Sequence, residues 1–193
     1  MITASQWKRV VKTVLPEGPD WGFKGKLTFQ RPVGWVLLGV LGEGSGFQRD
    51  QVYVWFLSSV LFVPRDSVPL DHGDRVPNGT STFGLDHEDR LKDALRLAFE
   101  RIPTEREALE RIARTPTEEA RYALVLLGRE DEAERALSKP FGQSVEYQHV
   151  IDARERQAEI LRLLQSEGRD AALAQLSAWR DHTLTAEGLE QVP

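Results

Sequence analysis

Residues 36–63 read VLLGVLGEGSGFQRDQVYVWFLSSVLFV, the most apolar run of the chain, broken once by Gly42-Glu43-Gly44-Ser45-Gly46. The fold turns on that break. A phosphate cradle needs backbone amides aimed at an anion and a helix start behind them. Here no Gly-Lys-Ser/Thr follows, Glu43 would repel an anion, and the third glycine of the dinucleotide fingerprint is missing. The residues after Gln51 have strand character. The glycines therefore read as the loop of a β-hairpin, with one strand over 36–41 and the other over 51–63. In the second strand Val52, Val54 and Phe56 alternate with Tyr53, Trp55 and Leu57, so both faces are apolar. Such a strand is expected to be central and covered on both sides.

Working outward, Thr3 and Gln6 form a capping box ahead of Trp7, Val10, Val11 and Val14, which share one helical face. Pro16 ends that helix, and 17–20 reads as a turn. Residues 26–31 alternate, with Leu27 and Phe29 on one side, and predict a strand. The segment 64–84 is rich in Pro, Asp, Gly, Ser and Thr. It reads as a long loop, with a short strand near Val76 or Thr82, and as a place for a binding surface.

Beyond Gly84 the period changes to that of helices. Asp86 can cap a helix whose face is Leu91, Leu95, Ala98, Phe99 and Ile102. Thr104 with Glu107, and Thr115 with Glu118, predict two more capping boxes. Gly128 predicts a helix end, and helices are expected over 144–165 and 170–181. The fold class is therefore α+β: an N-terminal helix, a small antiparallel sheet of about three to five strands, then a C-terminal helical bundle or set of hairpins. Two units are expected, a sheet unit over 1–84 and a helical region over 85–193 packing on it or extending from it.

The stretch Leu126-Leu127-Gly128-Arg129-Glu130-Asp131 is echoed by Leu163-Leu164 followed by Gly168-Arg169-Asp170. The echo resembles the tetratricopeptide type of helical hairpin, although its spacing is not a strict repeat. Residues 1–63, with Trp7 in a first helix, Gly22-Phe23-Lys24-Gly25-Lys26-Leu27-Thr28-Phe29-Gln30-Arg31 and then a strand pair, resemble the bacterial domain-of-unknown-function family numbered 4304. That resemblance implies an α+β sheet domain and brings no functional residues with it.

Several function classes are narrowed by composition. The chain has 193 residues and no Cys, which removes disulfides, thiol chemistry and Cys-ligated zinc. Residues 1–84 hold nine Lys/Arg against seven Asp/Glu, and 85–193 hold sixteen against twenty-three. Neither has the basic stripe that neutralising phosphates requires, so nucleic acid is not an expected partner. No apolar run suits a signal peptide or a bilayer span, and a cytoplasmic protein with no membrane partner is expected. Asn78-Gly79-Thr80 reads as a turn.

Two Asp–His pairs carry the only metal or acid–base chemistry in view: Asp71-His72 with Asp74, and Asp86-His87 at a helix start. His with a carboxylate can ligate a metal or form an oriented base, and a metal-dependent hydrolase on His72 and His87 is one reading. The spacing matches no metal signature, so the expectation is no cofactor and no catalytic residue. Ser58-Ser59 lacks a nucleophile elbow and reads as a bend or as buried hydroxyls bonded to backbone. Isolated His149 and His182 read as solvated or capping side chains. Trp35, Tyr53 and Trp55 would form an aromatic patch if one sheet face stays open, for a protein partner, a second copy or a small ligand. The leading expectation is a non-enzymatic protein–protein interaction module, for instance an accessory or toxin-neutralising partner.

Overall fold

The computed structural model describes residues 2–45, 51–66, 73–76, 83–84, 87–141 and 147–189. Helix α1 (Ala4–Lys12) precedes six strands: β1 (Asp20–Lys24), β2 (Leu27–Arg31), β3 (Val36–Gly44), β4 (Gln51–Val60), β5 (Gly73–Val76) and β6 (Phe83–Gly84). Helices follow: α2 (Glu88–Glu100), α3 (Glu105–Ile112), α4 (Glu118–Leu126), α5 (Glu130–Leu137), α6 (Gln148–Ser166) and α7 (Arg169–Ala186). This is an α+β protein. All strand pairs are antiparallel, in the order β1-β2-β3-β4-β5, and β6 joins β4.

The opening stretch is a β3–β4 hairpin, in register from Val36 opposite Val60 to Gly44 opposite Val52. β3 runs on through Gly42 and Gly44, past the expected end at Leu41. The reason lies on the neighbouring helix. A Cβ at Gly42 would stand 2.7 Å from the indole of Trp7, so the bare backbone makes a slot for the largest side chain of α1. Trp7 is 0% exposed and its Nε1 donates to Thr28 Oγ1 at 3.3 Å. The helix is held for this by the expected capping box, Thr3 N to Gln6 Oε1 at 2.8 Å and Gln6 N to Thr3 Oγ1 at 3.2 Å. One strand went unread in the sequence: β1 begins at Asp20, inside the expected turn, and a two-residue turn at Gly25-Lys26 returns the chain as β2.

One sheet face is covered along its length. Val40, Val52, Val54 and Val76 pack against α1 and α2 through Trp7, Val10, Val11, Leu91, Leu95 and Phe99. Val36, Leu38 and Val60, nearer the other end, share a core with α3 to α7. The helical region packs on the sheet: α2 belongs to the sheet core, and the later helices share theirs with β3 and β4. The capping box at Thr104 closes as expected, with Glu107 taking the Thr104 N–H at 2.8 Å. Glu105 reaches across to the sheet, accepting from the backbone N–H of Trp35, and of Val36 at 3.3 Å.

Helices α4 to α7 each pack on the next, and α7 closes back on α4 to make a ring of four. Tyr122 and Trp179 meet edge to face across that closure, 5.7 Å between centroids. The Gly128 and Gly168 turns both take positive φ, 73° and 88°, the left-handed geometry that a side chain opposes. Arg169 then covers the end of α4, donating to Val125 O at 3.1 Å and Leu126 O at 3.2 Å.

Candidate functional site

The opposite sheet face is only partly covered by the described residues. Phe29, Leu37, Leu57 and Leu61 lie under Leu184 near the end of α7 and Leu189 just beyond it. Toward the hairpin tip the same face carries Leu41, Glu43, Tyr53, Trp55 and, on β5, Arg75. Their register explains the grouping. Glu43 stands opposite Tyr53, Leu41 opposite Trp55, and Trp55 opposite Arg75. The Arg75 guanidinium lies over both rings, 4.1 Å from the Tyr53 centroid and 4.6 Å from that of Trp55. Glu43 Oε2 accepts from Trp55 Nε1 at 2.9 Å and from Arg75 Nη2 at 3.1 Å. Cation–π contact and a shared carboxylate thus lock one conformation. Tyr53 and Trp55 remain partly exposed, and Arg75 Nε is buried with no hydrogen-bond partner among the described residues.

Trp35 does not join them. It precedes Val36, six residues from Leu41 on the same strand, which at about 3.3 Å per residue is roughly 20 Å away. Instead it packs with the helical core, and Arg180 of α7 lies 4.9 Å over its ring. The aromatic patch expected from Trp35, Tyr53 and Trp55 is therefore a pair, and its third member is Arg75.

Of the Asp–His candidates, Asp71, His72 and Asp86 lie outside the described residues, as does Asn78-Gly79-Thr80. Asp74 sits exposed on β5, where its carboxylate accepts from the Arg75 N–H at 2.7 Å. It borders a 230 Å³ hollow with Phe56, Ser58, Arg111 and Thr115. His87 is exposed at the start of α2 and makes no side-chain cap. Among the described residues, no group of three or more His, Asp or Glu is placed to hold a metal ion. Ser58 and Ser59 sit in β4, and the Ser59 hydroxyl is buried with no hydrogen-bond partner among those residues, not bonded to backbone as expected. His182 faces Asp66 at 4.0 Å, and His149 lines a cleft.

That cleft, about 420 Å³, was invisible in the sequence. It lies between the segment after β4 and helices α4 and α6, lined by Pro64, Arg65, Glu118, Glu119, His149 and Arg156 among others. Glu118 was expected to cap α4 with Thr115. Its carboxylate instead turns inward and is 7% exposed, taking Arg156 in a two-pronged contact at 2.8 and 2.9 Å and the Tyr122 hydroxyl at 2.9 Å. Glu119 pairs with Arg65. The hydrogen bond to Glu118 raises the Arg156 pKa above its ordinary value. Burial, then the Glu118 charge, push the Tyr122 phenol well above its ordinary 10.0. Each guanidinium here already holds a carboxylate, so the cleft reads as a charged joint of the helical ring and not as a ligand site.

The raised Tyr122 pKa has a signed consequence. A proton that the native state keeps and the unfolded chain releases makes stability fall with rising pH. The Tyr122 contribution is intact below about pH 10 and is lost above it, by about 1.4 kcal/mol per pH unit. Urea midpoints of the wild type and Tyr122→Phe should show the tyrosine's advantage shrinking above about pH 10 and then reversing. A gap that stays constant through that range would refute this.

Among the described residues no helix is long and apolar enough to cross a membrane. The chain matched no protein-family model, no curated protein and no solved structure.

Proposed function

We propose that this protein is a non-enzymatic interaction module that holds another protein against the uncovered end of its sheet. The observation that supports this reading is the Tyr53–Trp55–Arg75 group. Tyr, Trp and Arg are the side chains most enriched where binding energy concentrates, because they offer large rigid area with a polar end. Here Glu43 fixes them before any partner arrives, which reduces the ordering that binding must impose. Partly buried Leu27 and Leu41 continue the same face.

The test replaces Tyr53 by a photo-crosslinking phenylalanine analogue in the source cell and compares it with the same substitution at exposed Arg135 on α5. A discrete adduct formed at 53 and absent at 135 is expected. Adding Trp55→Ala and Arg75→Ala should reduce it by about tenfold or more, as loss of two central contacts does. Identical adducts at both positions, or an adduct indifferent to those two changes, would defeat the reading.

A further inference from the structure

We infer that the groove between α1 and the edge strand β1 takes an extended, acidic segment of another protein as an added strand. This goes beyond the sheet-face reading and does not depend on it. Among the described residues β1 ends the sheet, with β2 on one side only. The Gly42 N–H donates to Lys26 O at 3.0 Å, so the even-numbered residues of β2 face β3 and the odd-numbered ones face β1. By the same alternation Gly22 and Lys24 bond inward, while the Trp21 carbonyl and the Phe23 amide and carbonyl point outward; the Trp21 amide donates to the Asp20 carboxylate. An edge of this kind is a template for pairing unless something blunts it. Charged residues often do so, but Lys24 is engaged elsewhere, with Glu187 at 2.8 Å, and Asp20, which holds Arg31 at 2.7 Å, caps only the Trp21 amide, so the Phe23 groups stay available.

Beside this edge runs an open groove of about 560 Å³. One wall is α1 with Lys8 and Lys12, another is β1 with Trp21 and Phe23, and the 15–19 segment closes an end with Glu17. A strand added to β1 would point alternate side chains into this groove. Lys8 lies 4.8 Å over the Phe23 ring. Neither Lys8 nor Lys12 forms an ion pair among the described residues, in a chain of net charge −5. Their charges favour acidic side chains at the groove positions, and Glu17 disfavours them at its far end. A second copy is a poor occupant: two-fold pairing of β1 with itself would set both α1 helices on one sheet face, with their lysines turned toward each other.

The test titrates the full chain with a blocked peptide of alternating Val and Glu, and with its Val/Lys counterpart, reading amide hydrogen exchange. The Val/Glu peptide should slow exchange at Phe23 by about tenfold or more, and the Val/Lys peptide should not. Lys8→Gln with Lys12→Gln, both exposed, should weaken binding by about tenfold while leaving the circular dichroism unchanged. No added protection, equal protection by both peptides, or indifference to the lysine changes would overturn the inference. So would protection that rises with protein concentration alone, which is the signature of β1 pairing with a second copy. None of these readouts involves Tyr53, Trp55 or Arg75, so failure here leaves the sheet-face reading standing.

Discussion

Trp7→Ala is expected to destabilise the protein by about 3–5 kcal/mol, the range for truncating a large buried aromatic. Trp7 is 0% exposed, and its ring lies against a strand backbone that has no side chain to collapse into the void. The cavity term should therefore persist. The indole also carries the hydrogen bond to Thr28, whose hydroxyl would be left buried without it. Against a typical total of about 5–15 kcal/mol this is a large share. The slot makes a second, sharper expectation. Gly42→Ala puts a methyl 2.7 Å from the ring and should by itself cost about 1–3 kcal/mol through overpacking. In a Trp7→Leu background, where the ring is gone, the same change should cost clearly less. Urea unfolding of the two single variants and the double variant measures that coupling. Additive effects would mean that Gly42 is not there to admit Trp7.

The second large effect lies in the helical ring. Arg156→Ala leaves the Glu118 carboxylate buried with only Tyr122 for company, and is expected to cost about 3–5 kcal/mol. The Arg156 side chain is 22% exposed, so the lower end of that range applies. Removing both charges should hurt less than removing one, since desolvation of the survivor is the main penalty. Arg156→Leu with Glu118→Gln tests this, the glutamine keeping an acceptor for the Tyr122 hydroxyl. The double variant should be more stable than Arg156→Ala, and the thermal or urea transition reads the difference. A double variant less stable than the single one would show that the pair stabilises the fold beyond its own burial.

Much of the fold could be read without coordinates because its signals are local. The Thr3 and Thr104 capping boxes, the helical face of Trp7, Val10 and Val11, and the two-sided apolar pattern of β4 all depend on residues within a few positions of one another. Gly-Glu-Gly-Ser was correctly separated from a phosphate loop by what failed to follow it. Where local signals competed, the reading erred. Asp20 looked like a turn residue but begins β1, since pairing with Arg31 outweighs the weak strand preference of Asp. Thr115 and Glu118 had capping-box spacing, yet Glu118 turns inward because Arg156, thirty-eight residues away, offers two donors where the cap offers one. That competition is settled only by packing.

The candidate sites show the same division. Sequence alone marked Tyr53 and Trp55, because a strand apolar on both faces must either be covered twice or present aromatics outward. It could not separate Trp35 from them, nor supply Arg75, since register and the path of β5 decide which residues share a patch. It determined the antiparallel hairpin and the helical half. Which half of a sheet face α7 covers, which edge stays open beside Lys8 and Lys12, and why Gly42 must lack a side chain were decided by tertiary structure. The physical reason is range: propensity, capping and alternation act over a few residues, whereas burial and charge pairing depend on which distant segments share the same space.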